Sequence, residues 1–183
     1  MRFRFNEKKA AQAAAFILKR HGDRINYMVL IKLLYLADRG ALIERGLPIT
    51  GDRFVSMPHG PVLSMILDLI NMGRSDPPTP WFEHISEPSD HEVTLLSAAG
   101  DDELSEYELD LLSTIDKRFG GMNKWALRDY THTLPEWEDP KGSSLPIEPA
   151  DLLRKADVPP ETIRQIGEEA EDMWSSSLML FGR

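Results

Sequence analysis

The stretch that decides the fold is MVLIKLLYLA, residues Met28–Ala37. Its side chains are apolar on nearly every face of a helix, which is typical of a helix surrounded by other elements. Asn26 stands where an N-cap would, and Ile25 and Leu30 have the spacing of a hydrophobic staple around it. Gly46 ends the pattern. The sequence therefore predicts a central, buried helix that begins at Asn26.

Further helices are predicted on both sides of this central one. Asn6 caps a first helix, Glu7–His21, which Gly22 ends. Ser105 opens another helix with a capping box that ends in Glu108. Three more helices are predicted: from His59-Gly60-Pro61 to about Met72, from Asn123 to about Thr133, and from Pro160 to Ser175-Ser176-Ser177. Pro61 is expected in a first helical turn, where its missing N–H has no partner to lose.

One β element is predicted among these helices. Trp81–Ser86 and His91–Ser97 resemble two strands around a polar turn, hence a β-hairpin. The fold class is mainly α (α+β), a compact helical domain with a small β-hairpin or short antiparallel sheet. Residues 1–137 are expected to form its core. Residues 138–183 supply a Pro-rich connection and an acidic C-terminal helix on the same domain, with an apolar tail, Leu178–Phe181, that must dock.

Composition narrows the functional classes. The 183 residues suit about one domain, and the absence of cysteine excludes disulfides, thiolate zinc sites and a cysteine nucleophile. The net charge of −9 disfavours binding to nucleic acid, which an acidic protein repels unless its basic residues cluster. Here they cluster only in Met1–Arg24. Glu136–Asp172 is strongly acidic. The longest apolar run has ten residues and no signal peptide is evident, so we expect a cytoplasmic protein without a membrane segment.

The lack of recognisable catalytic motifs in the sequence favours a binding protein. No phosphate loop, dinucleotide fingerprint, zinc-protease motif or nucleophile elbow occurs. His84 and His91 lie on the predicted hairpin, but two ligands do not make a metal site, so neither metal nor cofactor is predicted. Asp129 and His132 have the spacing of a helical pair without a clear nucleophile. The alternative interpretation is that His132 pins the Pro135–Trp137 turn.

Exposed aromatic residues are candidates for partner binding, since tryptophan is enriched at interface hot spots. Trp81 and Trp137 lie in loop-like contexts and are expected to be exposed, whereas Trp125 is expected in the core. The candidate partner-binding residues are Trp81, His84, His91, Trp137 and Trp174.

An ordered set of motifs resembles a known family. The motifs are Ile31–Ala37 (IKLLYLA), Gly46-Leu47-Pro48-Ile49 through Asp52-Arg53-Phe54, His59-Gly60-Pro61-Val62, Leu104-Ser105 with Glu108, Leu127, Thr131-His132 and Pro135-Glu136-Trp137. Their order and spacing resemble the Panacea domain family of SocA-like antitoxins and phage-associated proteins, over about Phe5 to Trp137. Glu136 departs from the pattern, because the family often has proline and tryptophan adjacent.

The resemblance implies an antitoxin that neutralises a cognate toxin by direct binding, with an AAA+ protease as a further partner where the antitoxin acts as an adaptor. It implies no cofactor. The alternatives are a phage or mobile-element accessory protein, a DNA-binding regulator, and an enzyme using His132 and Asp129. Oligomeric state is left open.

The shared residues are expected to be mostly scaffold. They are Lys32, Leu33, Tyr35, Gly60, Pro61, Val62, His132 and Trp137. Lys32 is the sole charge in its apolar stretch, so it should reach solvent or pair with Asp38 or Asp52. Specificity for a partner is expected on the hairpin and the C-terminal helix.

Overall fold

A computed structural model describes residues 1–181, with side chains as far as residue 177. Its helices are α1 (Glu7–Arg20), α2 (Tyr27–Arg45), α3 (Ser64–Met72), α4 (Pro80–His84), α5 (Glu106–Phe119), α6 (Lys124–His132), α7 (Pro149–Lys155) and α8 (Pro160–Phe181). Its strands are β1 (Arg24–Asn26), β2 (Phe54–Met57), β3 (Gly60–Leu63), β4 (Glu92–Thr94) and β5 (Leu145–Pro146). The predicted α+β class with small antiparallel sheets is confirmed.

Helix α2 is the centre of the core, as its sequence predicts. Leu30, Leu33, Leu34 and Tyr35 are at most 1% exposed, and α2 contacts α1, α5, α6 and β3. Full burial of one such leucine contributes about 1.5–3 kcal/mol. Several of them on one helix explain why the surrounding elements pack against α2.

The predicted helix caps are confirmed. The Asn6 side chain accepts a hydrogen bond from the Lys9 amide, and the Asn26 side chain accepts one from the Met28 amide. Gly46 closes α2 in a left-handed conformation, φ 73°, which glycine adopts without steric cost. Ser105 opens α5 with the complete capping box. Each boundary depends on side chains within a few residues of it.

The predicted start of the third helix at Pro61 is wrong. Gly60–Leu63 forms β3, which pairs antiparallel with β2, and α3 begins only at Ser64. Proline is tolerated in β3 because this strand lies at the edge of a sheet with the order β3-β2-β5. The start of α3 is stabilised by the Asp52 carboxylate and not by a proline. This carboxylate accepts hydrogen bonds from the backbone amides of Met65 and Ile66, at 2.9 Å each.

The predicted hairpin is also partly wrong. Its first arm, Trp81–Ser86, is mostly the short helix α4, which turns Trp81, Phe82 and Ile85 into the core at 0–2% exposure. Its second arm contains β4, but β4 pairs with β1. A single bridge between Ile85 and Leu95 remains of the predicted pairing. Burial of a bulky apolar cluster outweighs the local strand propensity.

The C-terminal segment contains one helix that the sequence analysis missed. Helix α7 contacts α2 and buries Leu152 and Leu153 completely. Helix α8 does not end at Ser175-Ser176-Ser177 as predicted; it continues through them. The side chains of the apolar tail Leu178–Phe181 lie outside the described residues. Within the described part of the chain, no helix is long and apolar enough to cross a membrane.

Candidate functional site

Six of the eight residues shared with the family meet at one place, where α2, the β2–β3 turn, α6 and the Pro135–Trp137 turn come together. We call this cluster the buried junction; it consists of Lys32, Tyr35, Arg39, Gly60, Pro61, Thr131, His132, Glu136 and Trp137. Leu33 and Val62 belong to the surrounding apolar core, at 0% and 6% exposure.

Lys32 lies at the bottom of the junction. It is 1% exposed, and its Nζ donates a hydrogen bond to the Pro61 carbonyl at 2.7 Å. Both expectations for this residue are therefore wrong: it does not reach solvent, and it does not pair with Asp38 or Asp52. The Asp38 carboxylate instead accepts a hydrogen bond from the Thr50 hydroxyl, and the Asp52 carboxylate accepts one from the Ile66 backbone amide. Burial lowers the pKa of Lys32 to about 7.

Gly60 is the point at which the segments touch. Its φ of 90° lies in the region that favours glycine. A Cβ at this position would stand 2.6 Å from Thr131 Oγ1, 2.9 Å from Lys32 Nζ and 3.2 Å from His132 Cδ2. The absence of a side chain at Gly60 thus allows α2 and α6 to approach the β2–β3 turn from two sides.

His132 connects α6 to the turn that follows it. Its ring stacks on Trp137, with centroids 3.9 Å apart and planes 11° from parallel. The Trp137 indole N–H donates to the Met57 carbonyl at 3.1 Å. Desolvation first, and then the charge of Lys32, lower the pKa of His132, so the ring is neutral at pH 7. The structure therefore supports the interpretation that His132 pins the Pro135–Trp137 turn.

The Asp129–His132 pairing is not formed in the structure. Asp129 accepts hydrogen bonds from both Nε and a terminal nitrogen of Arg128, at 2.9 and 2.6 Å. The His132 Nε2 atom is buried without a hydrogen-bond partner among the described atoms. A histidine held by stacking, with no carboxylate orienting it, lacks the arrangement of a catalytic dyad.

Glu136 is a junction residue whose buried contacts were not predicted from the sequence. Its side chain is 0% exposed and accepts hydrogen bonds from the Tyr35 hydroxyl at 2.8 Å and from Arg39 Nε at 2.6 Å. Burial and the Glu136 carboxylate raise the pKa of Tyr35 well above its ordinary value, so its hydroxyl keeps the proton that it donates. The available signal was the departure from the family pattern at Glu136, together with Tyr35 and Arg39 one helical turn apart.

The outer side of the junction carries an exposed aromatic and cationic surface. We call it the Trp125 surface; it consists of His59, Lys124, Trp125 and Arg128. Trp125 is 47% exposed, so its predicted place in the core is wrong. Helix α6 instead turns Leu127 and Thr131 inward, both fully buried.

The other predicted partner-binding residues are scattered over the fold. Trp81 is 0% exposed, which rules it out as an exposed anchor. His84 Nδ1 lies 2.9 Å from the Ser97 hydroxyl, and His91 is exposed beside Tyr27. Trp174 is half-buried and lines an open groove of about 910 Å³ beside β2 and residues 1–3. No group of three metal-ligating side chains occurs among the described residues.

The architecture and the junction define a helical scaffold in which distant segments are fixed to one central helix. Residues 30–138, more than half of the chain, match the family model for antitoxin SocA-like proteins with a Panacea domain, and the chain belongs to this family. The resemblance found in the motifs is thereby confirmed, and the match covers every residue of the buried junction. No curated protein and no solved structure matches the chain significantly.

Proposed function

We propose that this chain is a cytoplasmic antitoxin that neutralises a cognate toxin by binding it directly. Membership of the SocA-like antitoxin family is the observation that carries the proposal. The structure is compatible with it, because the shared polar residues stabilise a scaffold and leave the surface above them open. The proposal involves no catalytic step and no cofactor.

Co-expression tests this proposal. The probe is the product of the small reading frame adjacent to the gene for this chain, expressed alone and together with it. We expect the probe to arrest growth alone, the pair to restore growth, and the two proteins to purify as a complex. A toxic probe that is neither bound nor neutralised by this chain would refute the proposal.

A second arm separates sequestration from delivery to a protease. The proposal includes a role for this chain as an adaptor, which would deliver the toxin to an AAA+ protease. The half-life of the toxin is followed after synthesis is stopped, with and without this chain, in cells that have or lack the protease. Shortening of the half-life only when both are present supports an adaptor. An unchanged half-life with full rescue supports sequestration.

His132→Phe tests whether the junction histidine has a chemical role. Phenylalanine keeps a ring to stack on Trp137 and removes both ring nitrogens. We expect rescue of growth and complex formation to be unchanged. Loss of rescue by a variant that folds and binds normally would instead favour the enzyme alternative.

A further inference from the structure

We propose that the Trp125 surface is the docking site for the partner, and that it receives a segment whose acidic side chains flank an aliphatic or aromatic anchor. This inference rests on the proposed function, which supplies a protein partner, and it adds where that partner binds and what chemistry it presents. It places the interface on α6 and the β2–β3 turn, whereas the sequence predicts it on the hairpin and the C-terminal helix.

Trp125 is the exposed apolar side chain of this surface. An indole left 47% exposed on a helix that buries its other face costs solvation free energy. Tryptophan and arginine are the residue types most enriched at interface hot spots, and both occur here. Trp125 and Arg128 are also one helical turn apart, so they present a single surface.

The Trp125 indole is already held in place. Lys124 Nζ and Arg128 Cζ each lie 4.9 Å from its ring centroid, and the His59 ring meets it nearly edge-on at 6.2 Å. Arg128 is itself fixed by its hydrogen bonds to Asp129. A side chain ordered before binding loses little conformational entropy when a partner docks.

The Trp125 surface lies on a rigid base. His59 comes from the β2–β3 turn and the other three residues from α6. Gly60, next to His59, packs against Thr131 and His132 of α6. The buried junction therefore fixes the position of His59 relative to Trp125, which a surface assembled from two segments requires.

The charges of the Trp125 surface indicate the chemistry of the partner. The chain as a whole carries −9, yet this surface holds Lys124 and Arg128 around one indole. Asp129 offsets the charge of Arg128, whereas Lys124 forms no ion pair within the described residues, so Lys124 is the unpaired cation of this surface. An acidic segment would meet a favourable local potential, while the apolar anchor would cover the exposed indole.

The competing surface lies on α8, where Met173 is also 47% exposed and Trp174 is half-buried. The charges around it are of both signs: Glu169 and Asp172 lie on α8, and Arg2, Arg4 and Lys9 line the groove that Met173 and Trp174 also line. Substitutions at Met173 and at Trp125 separate the two surfaces experimentally.

The first experiment uses a peptide probe and does not depend on a toxin. A seven-residue peptide with one phenylalanine between two runs of three glutamates is titrated into the ¹⁵N-labelled chain, and the tryptophan indole resonances are followed. Trp125→Phe identifies the Trp125 signal. We expect this signal to shift and saturate, and the same peptide with lysine for glutamate to leave it unchanged. An unmoved Trp125 signal would overturn the proposed chemistry, as would tighter binding of an oligothymidine to the same residues.

The second experiment uses the complex obtained by co-expression. Trp125→Ala and the double reversal Lys124→Glu with Arg128→Glu are each expected to weaken binding by about tenfold or more, as for hot-spot residues. Lys19→Glu with Lys141→Glu makes the same change in net charge at exposed sites elsewhere and should leave affinity within about twofold. Met173→Ala controls for loss of an equally exposed apolar side chain.

The outcomes separate this inference from the proposed function. If the wild-type chain binds and neutralises the toxin and the Trp125 variants do so equally well, the docking site is wrong and the function stands. Loss of binding with Met173→Ala but not with Trp125→Ala would likewise place the interface on α8. If the peptide shifts Trp125 but a toxic adjacent product is not bound, the surface chemistry stands and the proposed function fails.

Discussion

Arg39 with Glu136 in the buried junction and Arg164 with Glu161 on α8 are the same pair of chemical groups in two different environments. The Glu136 side chain is 0% exposed and that of Arg39 is 20% exposed, whereas those of Arg164 and Glu161 are 61% and 78% exposed. Around Glu136 water is excluded, so each group depends on its partner. Around Arg164 water replaces any partner that is lost.

The comparison shows that burial, and not the number of ion pairs, decides where this fold depends on its charges. The junction joins segments about one hundred residues apart, from Tyr35 to Glu136. The ion pairs of Arg164 connect only neighbouring turns of one helix. Removing a junction residue should therefore disturb the whole domain, while removing an α8 residue should affect its helix alone.

The largest expected effect comes from Glu136→Ala. This change leaves the Tyr35 hydroxyl without its acceptor and the mostly buried Arg39 without its counter-charge, which costs about 3–5 kcal/mol of unfolding free energy. Urea unfolding followed by tryptophan fluorescence measures it. Glu138→Ala is the matched control, because Glu138 is exposed and pairs only at the surface with Lys155. Equal losses from both variants would refute the comparison.

Gly60→Ala is expected to rank second. Alanine disfavours a φ of 90°, and its Cβ would collide with Thr131 Oγ1 and Lys32 Nζ. We expect the free energy of unfolding to fall by about 2–3 kcal/mol because of backbone strain and displaced packing. Gly121→Ala is the control, since nothing lies within 4 Å of a Cβ there. If Gly60→Ala left the free energy of unfolding unchanged, the junction would tolerate separation of its segments.

Lys32 gives the junction a pH dependence. Its pKa is about 7 in the folded chain and 10.5 ordinarily, so between these values the folded chain binds fewer protons than the unfolded chain. The unfolding free energy should therefore rise with pH, by up to about 1.4 kcal/mol per unit. Lys32→Met should remove this rise and be more stable than the wild type at pH 6. Parallel pH profiles for the two chains, from urea unfolding at pH 6–10, would contradict this.

The smallest effect is expected for Arg164→Ala. Its pairs with Glu161 and Glu168 are exposed, so their loss should leave the unfolding free energy nearly unchanged, and any difference should vanish in high salt. Thermal unfolding at low and high ionic strength measures both. A loss as large as that of Glu136→Ala would mean that α8 depends on its charges as strongly as the junction does.

The two regions also differ in how far sequence could predict them. The boundaries of α1, α2, α5 and α6 were predicted because their caps are local. Asn6, Asn26, Ser105 and Asn123 each bond to an amide two or three residues away. The start of α3 was missed because the group that caps it, Asp52, stands more than ten residues before it.

Exposure of the aromatic residues could not be predicted in the same way. Trp81 was expected at the surface and Trp125 in the core, and the structure reverses both. Each indole stands in a short helix, where local pattern does not say which face meets the core. The packing of α4 on α1, and of α6 on α2 and β3, decided it.

The sequence by itself determined the family, the α+β class, the central position of α2 and most of the helix ends. These depend on apolar periodicity and on bonds between near neighbours, which the order of residues specifies directly. Only the tertiary structure decided that Lys32 is buried against Pro61, that Glu136 accepts hydrogen bonds from two side chains of α2, and that Trp125 faces solvent. Those outcomes depend on which distant segments exclude water from each other, and no short stretch of sequence carries that information.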